Sequence, residues 1–390
     1  MELMLTAFFW SFALLTVYAY LGYPLIITVL GIRRSREARY HTSDEFPRVS
    51  FIISARNEEK NIRRKLQNTL ALDYPRERLE ILVASNGSAD RTDAIATDFA
   101  SQGAKLISIQ EPGKTHAQNL AVAQAQNDIV VFSDADATYR GDALLQLVAP
   151  FQDHRIAAVL GKVVWEESTT SMVREGESLY WRYENYLKRR ESRLGACLAG
   201  SGAIMALRRE LYEPLEPHLM EDFAIPVIAR AKGYKVVFRP SAIASHATAE
   251  GGRAQFQRKA RVILQDVRAF FDLLPRLLRP TRAFLLWQLI SHKLVRWLVP
   301  FFLLGLLATS AALAELPLFA AVLGLQLAFY LMALIGYLAE RLKMPKALPL
   351  YVPYYFCLVN TAAFVALLMA ASGRRMPSWG KATAPQEEGA

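Results

Sequence analysis

The chain has 390 residues, 53% of them apolar, and a net charge of +10. Two cysteines, Cys197 and Cys357, exclude a disulfide framework and a zinc ligand set. No basic run is interleaved with aromatics in the way that reads nucleic acid, so the positive charge is assigned to anionic lipid and to an anionic substrate.

The apolar residues are unevenly placed. Residues 3–32 contain no charged side chain, and neither do 297–314, 316–339 or 347–373. A bilayer core takes about 20 predominantly apolar residues, so each stretch is expected to span one. The first carries Glu2 ahead of it and is too long for the apolar part of a cleaved signal peptide, so it is expected to remain as an anchor. Arg33, Arg34, Arg36 and Arg39 follow it, and Arg276, Arg279, Arg282, Lys293 and Arg296 precede the second span. Positive charge marks the cytoplasmic side. The expected organisation is therefore a transmembrane helix over 1–32 and a cytoplasmic domain over 33–275. An interfacial helix and three spans would fill 276–373, ahead of a polar tail over 374–390. Such a protein would belong to the inner (cytoplasmic) membrane. The basic loop 341–346 fits this topology, whereas Arg374, Arg375 and Lys381 do not, since four spans would put them outside.

Within 33–275 apolar, β-branched runs alternate with helical patterns. Strands are expected at 49–54, 79–85, 105–109 and 128–134, with helices ending near Leu70, over 92–100 and over 114–126. That alternation indicates an α/β fold with a parallel, doubly wound sheet, in which ligands bind beyond the carboxyl ends of the strands. Three of those ends carry polar residues: Arg56, Asn57 and Glu58; Asn86, Ser88 and Asp90; Asp134 and Asp136. In "SDADATY" the two carboxylates lie two residues apart, on one face if the backbone stays extended. They repel unless a cation sits beside them, and oxygen ligands suit Mg²⁺ or Mn²⁺. The alternative is a solvated loop.

Four segments occur in order: "SFIISARNEEKNI", "ILVASNGSADRT", "GKTHAQNLAVAQAQNDIVVFSDADATY" and "HLMEDFAIPVIARAKGYKVVFRPSAIASH". Together they resemble the family 2 glycosyltransferases of GT-A fold, in particular the membrane-bound branch that includes polysaccharide synthases. The resemblance covers residues 48 to about 265. It implies inverting transfer of a sugar from a nucleotide-diphosphate donor to a lipid-linked or glycan acceptor. It also implies donor contacts at Ala55, Asn57, Glu58, Asn86, Ser88, Lys114, Asp134, Arg258 and Arg261. A metal would be held by Asp136 and Asp134, with His246 as a further ligand, although a histidine at a strand end is also an ordinary structural residue. Lys114 would add charge at the diphosphate, or be an ordinary first-turn lysine. By the "MEDF" match Asp222 is the general base and Glu221 orients it or the acceptor. The alternative is that Asp222 caps a helix whose first turn holds Pro226. Gly200, Ser201 and Gly202 would line the acceptor side, or belong to a glycine-weakened strand.

The chain departs from the branch in two places. Processive synthases carry Gln-X-X-Arg-Trp before their C-terminal spans; here "QFQRKARV" keeps the cationic spacing at Arg258 and Arg261 but has Val262 after Arg261 in place of the Trp, removing an aromatic platform there. Asn86 stands where the family most often has Asp; because an amide both donates and accepts, it points to a UDP-sugar. Residues 178–190 and 270–290 mix aromatics with basic residues at helical spacing and are expected to anchor in the interface. The alternatives to single transfer are a processive exopolysaccharide synthase with a partner subunit and a catalytically silent scaffold; oligomeric state is left open.

Overall fold

The computed structural model describes residues 1–33, 46–110, 113–165, 172–246, 251–342, 344 and 348–373. The charges read at Arg34, Arg36, Arg39, Lys343, Lys346, Arg374, Arg375 and Lys381 lie outside the described residues.

Eight strands form one sheet: β1 (Val49–Ala55), β2 (Leu79–Asn86), β3 (Ala104–Ile109), β4 (Ile129–Asp134), β5 (Ala137–Tyr139), β6 (Ile156–Trp165), β7 (Met205–Arg208) and β8 (Lys235–His246), in the order β3-β2-β1-β4-β7-β6-β8-β5. The half built from β3, β2, β1 and β4 is parallel, as its strand–helix alternation requires. The other half is mixed, which corrects the expectation of a wholly parallel sheet. Here β7 runs antiparallel to both β4 and β6, and only β6 and β8 pair in parallel. Glycine and loop residues around β7 leave just four residues of strand, too short to carry a period of its own.

Alternate residues of β1 enter different cores. Val49, Phe51 and Ile53 pack on one face of the sheet and Ile52 on the other; Ile129 and Val131 oppose Val130 and Phe132 in the same way on β4. Burial on both faces is why these strands read as unbroken apolar runs.

Four helices are long and apolar enough to cross a membrane: Glu2–Ile32, Pro280–Ala312, Pro317–Arg341 and Pro349–Ala371. The second starts at Pro280, well before the expected 297, because its charged residues face protein. Lys293 Nζ donates to Asp266 at 3.0 Å, Arg296 to Glu184 at 2.7 Å, and His292 Nδ1 lies 2.8 Å from Glu191. Two interior-facing helices, Met172–Arg193 and Gly251–Leu277, supply those carboxylates. The core that holds Phe132 and Phe223 continues without a break to Leu285, Leu289 and Trp297 of the second apolar helix. Sheet domain and apolar helices are thus one packed body.

Close approach between the apolar helices rests on glycine. A side chain at Gly305 would collide with the Phe12 ring of the first helix, and a Cβ at Gly336 would lie 2.7 Å from the Leu350 carbonyl oxygen. Gly305→Leu is expected to cost about 1–3 kcal/mol through overpacking, read as a lower thermal midpoint of the purified protein. An unchanged midpoint would mean that the first helix does not pack there.

Candidate active site

The ends of β1, β2 and β4 converge at one edge of the sheet, where each strand passes into a loop. Ala55, the last residue of β1, is buried beside Ser85. Beyond it Asn57 adopts φ 52°, a left-handed conformation that asparagine tolerates better than most residues. Its side-chain carbonyl accepts the Ala89 N–H at 2.8 Å, and its own N–H donates to Ser88 Oγ at 3.2 Å. Glu58 is buried; its N–H donates to Thr92 Oγ1 at 2.7 Å, and Asn61 donates to its carboxylate at 2.6 Å. Asn57, Glu58 and Ser88 therefore knit the first two loops together. Asn86 is also buried, and its Oδ1 accepts the backbone N–H of Gly113. That bond ties the end of β2 to the start of the Lys114–Gln124 helix.

Lys114 opens that helix and buries its ammonium between two carboxylates. Its Nζ lies 2.8 Å from Asp134 Oδ1 and 2.6 Å from Glu221 Oε1. Burial alone would discharge the amine, but the charges of Asp134 and Glu221 outweigh it and hold the group protonated. Gly202 makes this possible, since a Cβ there would run into Glu221 Oε1 and come within 3.1 Å of Lys114 Nζ. Glu221 and Asp222 begin the Glu221–Ala231 helix, and the cap residue is Met220. Asp222 is thus not the cap, and Pro226 lies in the second turn. Proline has no N–H to give to the Asp222 carbonyl; the Gly200 N–H takes it instead, at 2.7 Å. This bond fixes the glycine loop of Gly200, Ser201 and Gly202 against the Glu-Asp pair. The Asp222 carboxyl is pushed up to about 7 by its burial, with the charges of Glu221 and Asp266 adding to the effect.

Asp134 closes β4, Asp136 follows in a turn, and His246 closes β8 opposite Ala137 of β5. One ligand atom from each lies within 4.8 Å of the other two. His246 Nδ1 is 3.5 Å from Asp136 Oδ1. Burial opposes charge on both groups; their mutual hydrogen bond and attraction prevail, holding the imidazole above its usual range and the Asp136 carboxyl below its own. Two carboxylates and one imidazole on a partly open strand edge suit a divalent cation with positions left for other oxygens.

Arg258 stands one ring away from the Asp134, Asp136 and His246 cluster, because the Trp165 ring that it covers lies 5.6 Å from that of His246. Arg258 is held by Glu177 and by Gln255 at 3.0 Å, with its guanidinium 4.6 Å from the centre of the Trp165 ring; Arg261 lies near it on the same helix. Lys65 is a residue that the sequence reading missed. Its fully buried amine donates to the Ala137 carbonyl at 2.8 Å under the Asp134–Asp136 turn, and burial brings it down to about 7. Ile62, Leu66 and Thr69 are buried on the same helix, so a lysine in that stripe was the available signal.

The class follows from the fold and this edge: a GT-A sheet carrying an Asp/His cluster, joined through Lys114 to a Glu-Asp pair, on a base of apolar helices. Residues 50–215 match the model of the family described as Glycosyl transferase family 2. The chain carries a family 2 glycosyltransferase domain and is related to polysaccharide and glycolipid synthases. The probable glycosyltransferase YdaM of Bacillus subtilis is 30% identical over 250 residues, 59% of this chain and 59% of YdaM. The beta-monoglucosyldiacylglycerol synthase of Trichormus variabilis is 27% identical over 191 residues, 45% of this chain and 41% of that protein. The poly-beta-1,6-N-acetyl-D-glucosamine synthase of Staphylococcus aureus is 26% identical over 243 residues, 57% and 58% of the two chains. The chain thus spans less than two thirds of the length of these curated relatives. The mannosyltransferase PcManGT from Pyrobaculum calidifontis, solved with GDP-Man and Mn²⁺, shares the fold. Its TM-score is 0.71 at 23% identity, over 94% of this chain and 99% of that one.

Gly202→Ala is expected to push Glu221 off Lys114 and to destabilise the protein by about 1–3 kcal/mol, measured by thermal unfolding. Stability equal to that of the parent would show that the ion pair shifts at no cost.

Proposed function

We propose that the chain transfers a sugar, with inversion, from a nucleotide-diphosphate donor to an acceptor hydroxyl at the cytoplasmic face of the inner membrane. One observation carries this reading: Lys114 touches both Asp134 and Glu221, so the carboxylate cluster of β4 and the Glu-Asp pair lie side by side. Asp222 takes the acceptor proton as the acceptor oxygen bonds to the anomeric carbon. The bond from that carbon to the diphosphate breaks, and the diphosphate leaves with the electron pair. A base near neutrality matches the pH at which the proton must move. Asp134, Asp136 and His246 would hold Mg²⁺ or Mn²⁺, which supplies Lewis-acid neutralisation of the departing diphosphate. Asn57, Glu58 and Ser88 shape the donor loops. The Gly113 N–H takes one lone pair of Asn86 Oδ1 and so orients the amide, whose second lone pair and Nδ2 donor would read the base. The uridine preference drawn from this residue rests on those two groups. The cytoplasmic assignment rests on Arg276, Arg279 and Arg282 at the foot of the second apolar helix.

Asp222→Asn is expected to lower transfer by about 10²–10⁴-fold while nucleotide-sugar binding, read by thermal shift, persists. In the parent, kcat/KM should rise with pH to a plateau, with a midpoint at about 7. Glu221→Gln removes a neighbouring negative charge and should move that midpoint down. Full activity in Asp222→Asn would eliminate it as the base. Chelation by EDTA should abolish transfer and added Mn²⁺ restore it; undiminished turnover in EDTA would exclude a metal at Asp134, Asp136 and His246.

A further inference from the structure

A cavity of about 460 Å³ lies between β6 and the Met172–Arg193 helix, with Lys162, Trp165, Trp181, Arg182, Asn185 and Arg189 in its wall. That volume is typical of small-molecule sites. Its one acid, Glu177, is already taken by Arg258 and by Gln255 at 2.6 Å. Lys162, Arg182 and Arg189 thus stand against that single acid in the described wall, which carries net positive charge. The two ends of the cavity differ. At one, the Trp165 ring lies 5.6 Å from that of His246, next to the candidate metal cluster. At the other, Tyr186 bonds through its hydroxyl to Thr28 of the first apolar helix at 2.7 Å. The donor loops Asn57, Asn86 and Ser88 leave β1 and β2, whereas this cavity opens on β6, beyond β4 and β7 in the sheet order.

We infer that this cavity is the acceptor site and that the acceptor is an amphiphile bearing a phosphate. The inference rests on the transferase reading above. Arg182, Arg189 and Lys162 recognise the phosphate; guanidinium pairs suit its oxygens better than those of a neutral headgroup. Trp165 and Trp181, with ring centroids 6.1 Å apart, offer flat apolar surface to a sugar ring or the first lipid carbons. The tail leaves past Tyr186 along the first apolar helix into the bilayer. A soluble glycan would have no use for that exit, and diacylglycerol would bring no anion to the three cations. The aromatic platform absent at Val262 is thereby supplied from β6 and a different helix.

The test uses the full chain in phosphatidylcholine vesicles, titrated with farnesyl phosphate, farnesol or inorganic phosphate and followed by tryptophan emission. Farnesyl phosphate should bind saturably and at least tenfold more tightly than either control. Trp181→Phe should reduce the signal, and Arg182→Gln with Arg189→Gln should weaken binding at least tenfold, with circular dichroism reporting the fold of each variant. Equal binding of farnesol would leave a phosphate-blind lipid groove, and equal binding of inorganic phosphate a soluble-anion site; either overturns the inference. Unaltered affinity in the double variant, or no response to farnesyl phosphate, overturns it as well. Nucleotide-sugar binding is measured separately on the same vesicles. Its failure would sink the transferase reading and leave the lipid-phosphate result standing.

Discussion

The organisation of the cleft depends on one buried cation. Lys114 joins Asp134, at the end of a parallel strand, to Glu221, at the start of a helix far along the chain. Carboxylates removed from water are costly unless paired, and removing one member of such a group costs about 3–5 kcal/mol because the rest are left uncompensated. The surrounding choices follow from that constraint. Gly202 leaves room for the pair, Asn86 pins the loop that leads into Lys114, and Pro226 frees the carbonyl that holds the glycine loop.

A second balance of charge sits beside it. Asp134 and Asp136 meet His246 from β8 and lie above the buried amine of Lys65. The Lys114 ammonium, the Lys65 amine and the His246 imidazole thus surround two carboxylates. Since β8 reaches this point only by pairing with β5 and β6, the mixed half of the sheet is what completes the cluster. The antiparallel strand β7 lies between β4 and β6, and so between the loops that follow β1 and β2 and the cavity lined by Trp165 and Trp181.

The apolar helices are part of the same body. Lys293 and Arg296 belong to the second apolar helix, yet their partners Asp266 and Glu184 belong to helices that pack under the sheet. Buried ion pairs and the shared core from Phe132 to Trp297 together fix the helix against the sheet domain. The sheet edge that carries the carboxylates is thereby held rigidly relative to the apolar helices.

From the sequence alone came the parallel strands β1 to β4, the four apolar helices, and Asp134, Asp136, Lys114, Glu221 and Asp222. Those features are local: period, length and residue type act over a few neighbouring residues. Asn86 looked like a base reader because its amide can donate and accept; only the folded chain reveals that Gly113 takes one lone pair of its oxygen and so orients the amide. Arg258 was legible as a cation but not as the partner of Glu177 and Trp165, which lie on other elements. Lys65, the mixed half of the sheet and the cationic, aromatic cavity were likewise decided by tertiary structure. The physical reason is common to all of them: a side chain's charge and hydrogen-bonding capacity are written in the sequence, but whether they are spent on the protein itself depends on distant residues brought within 3 or 4 Å by the packing.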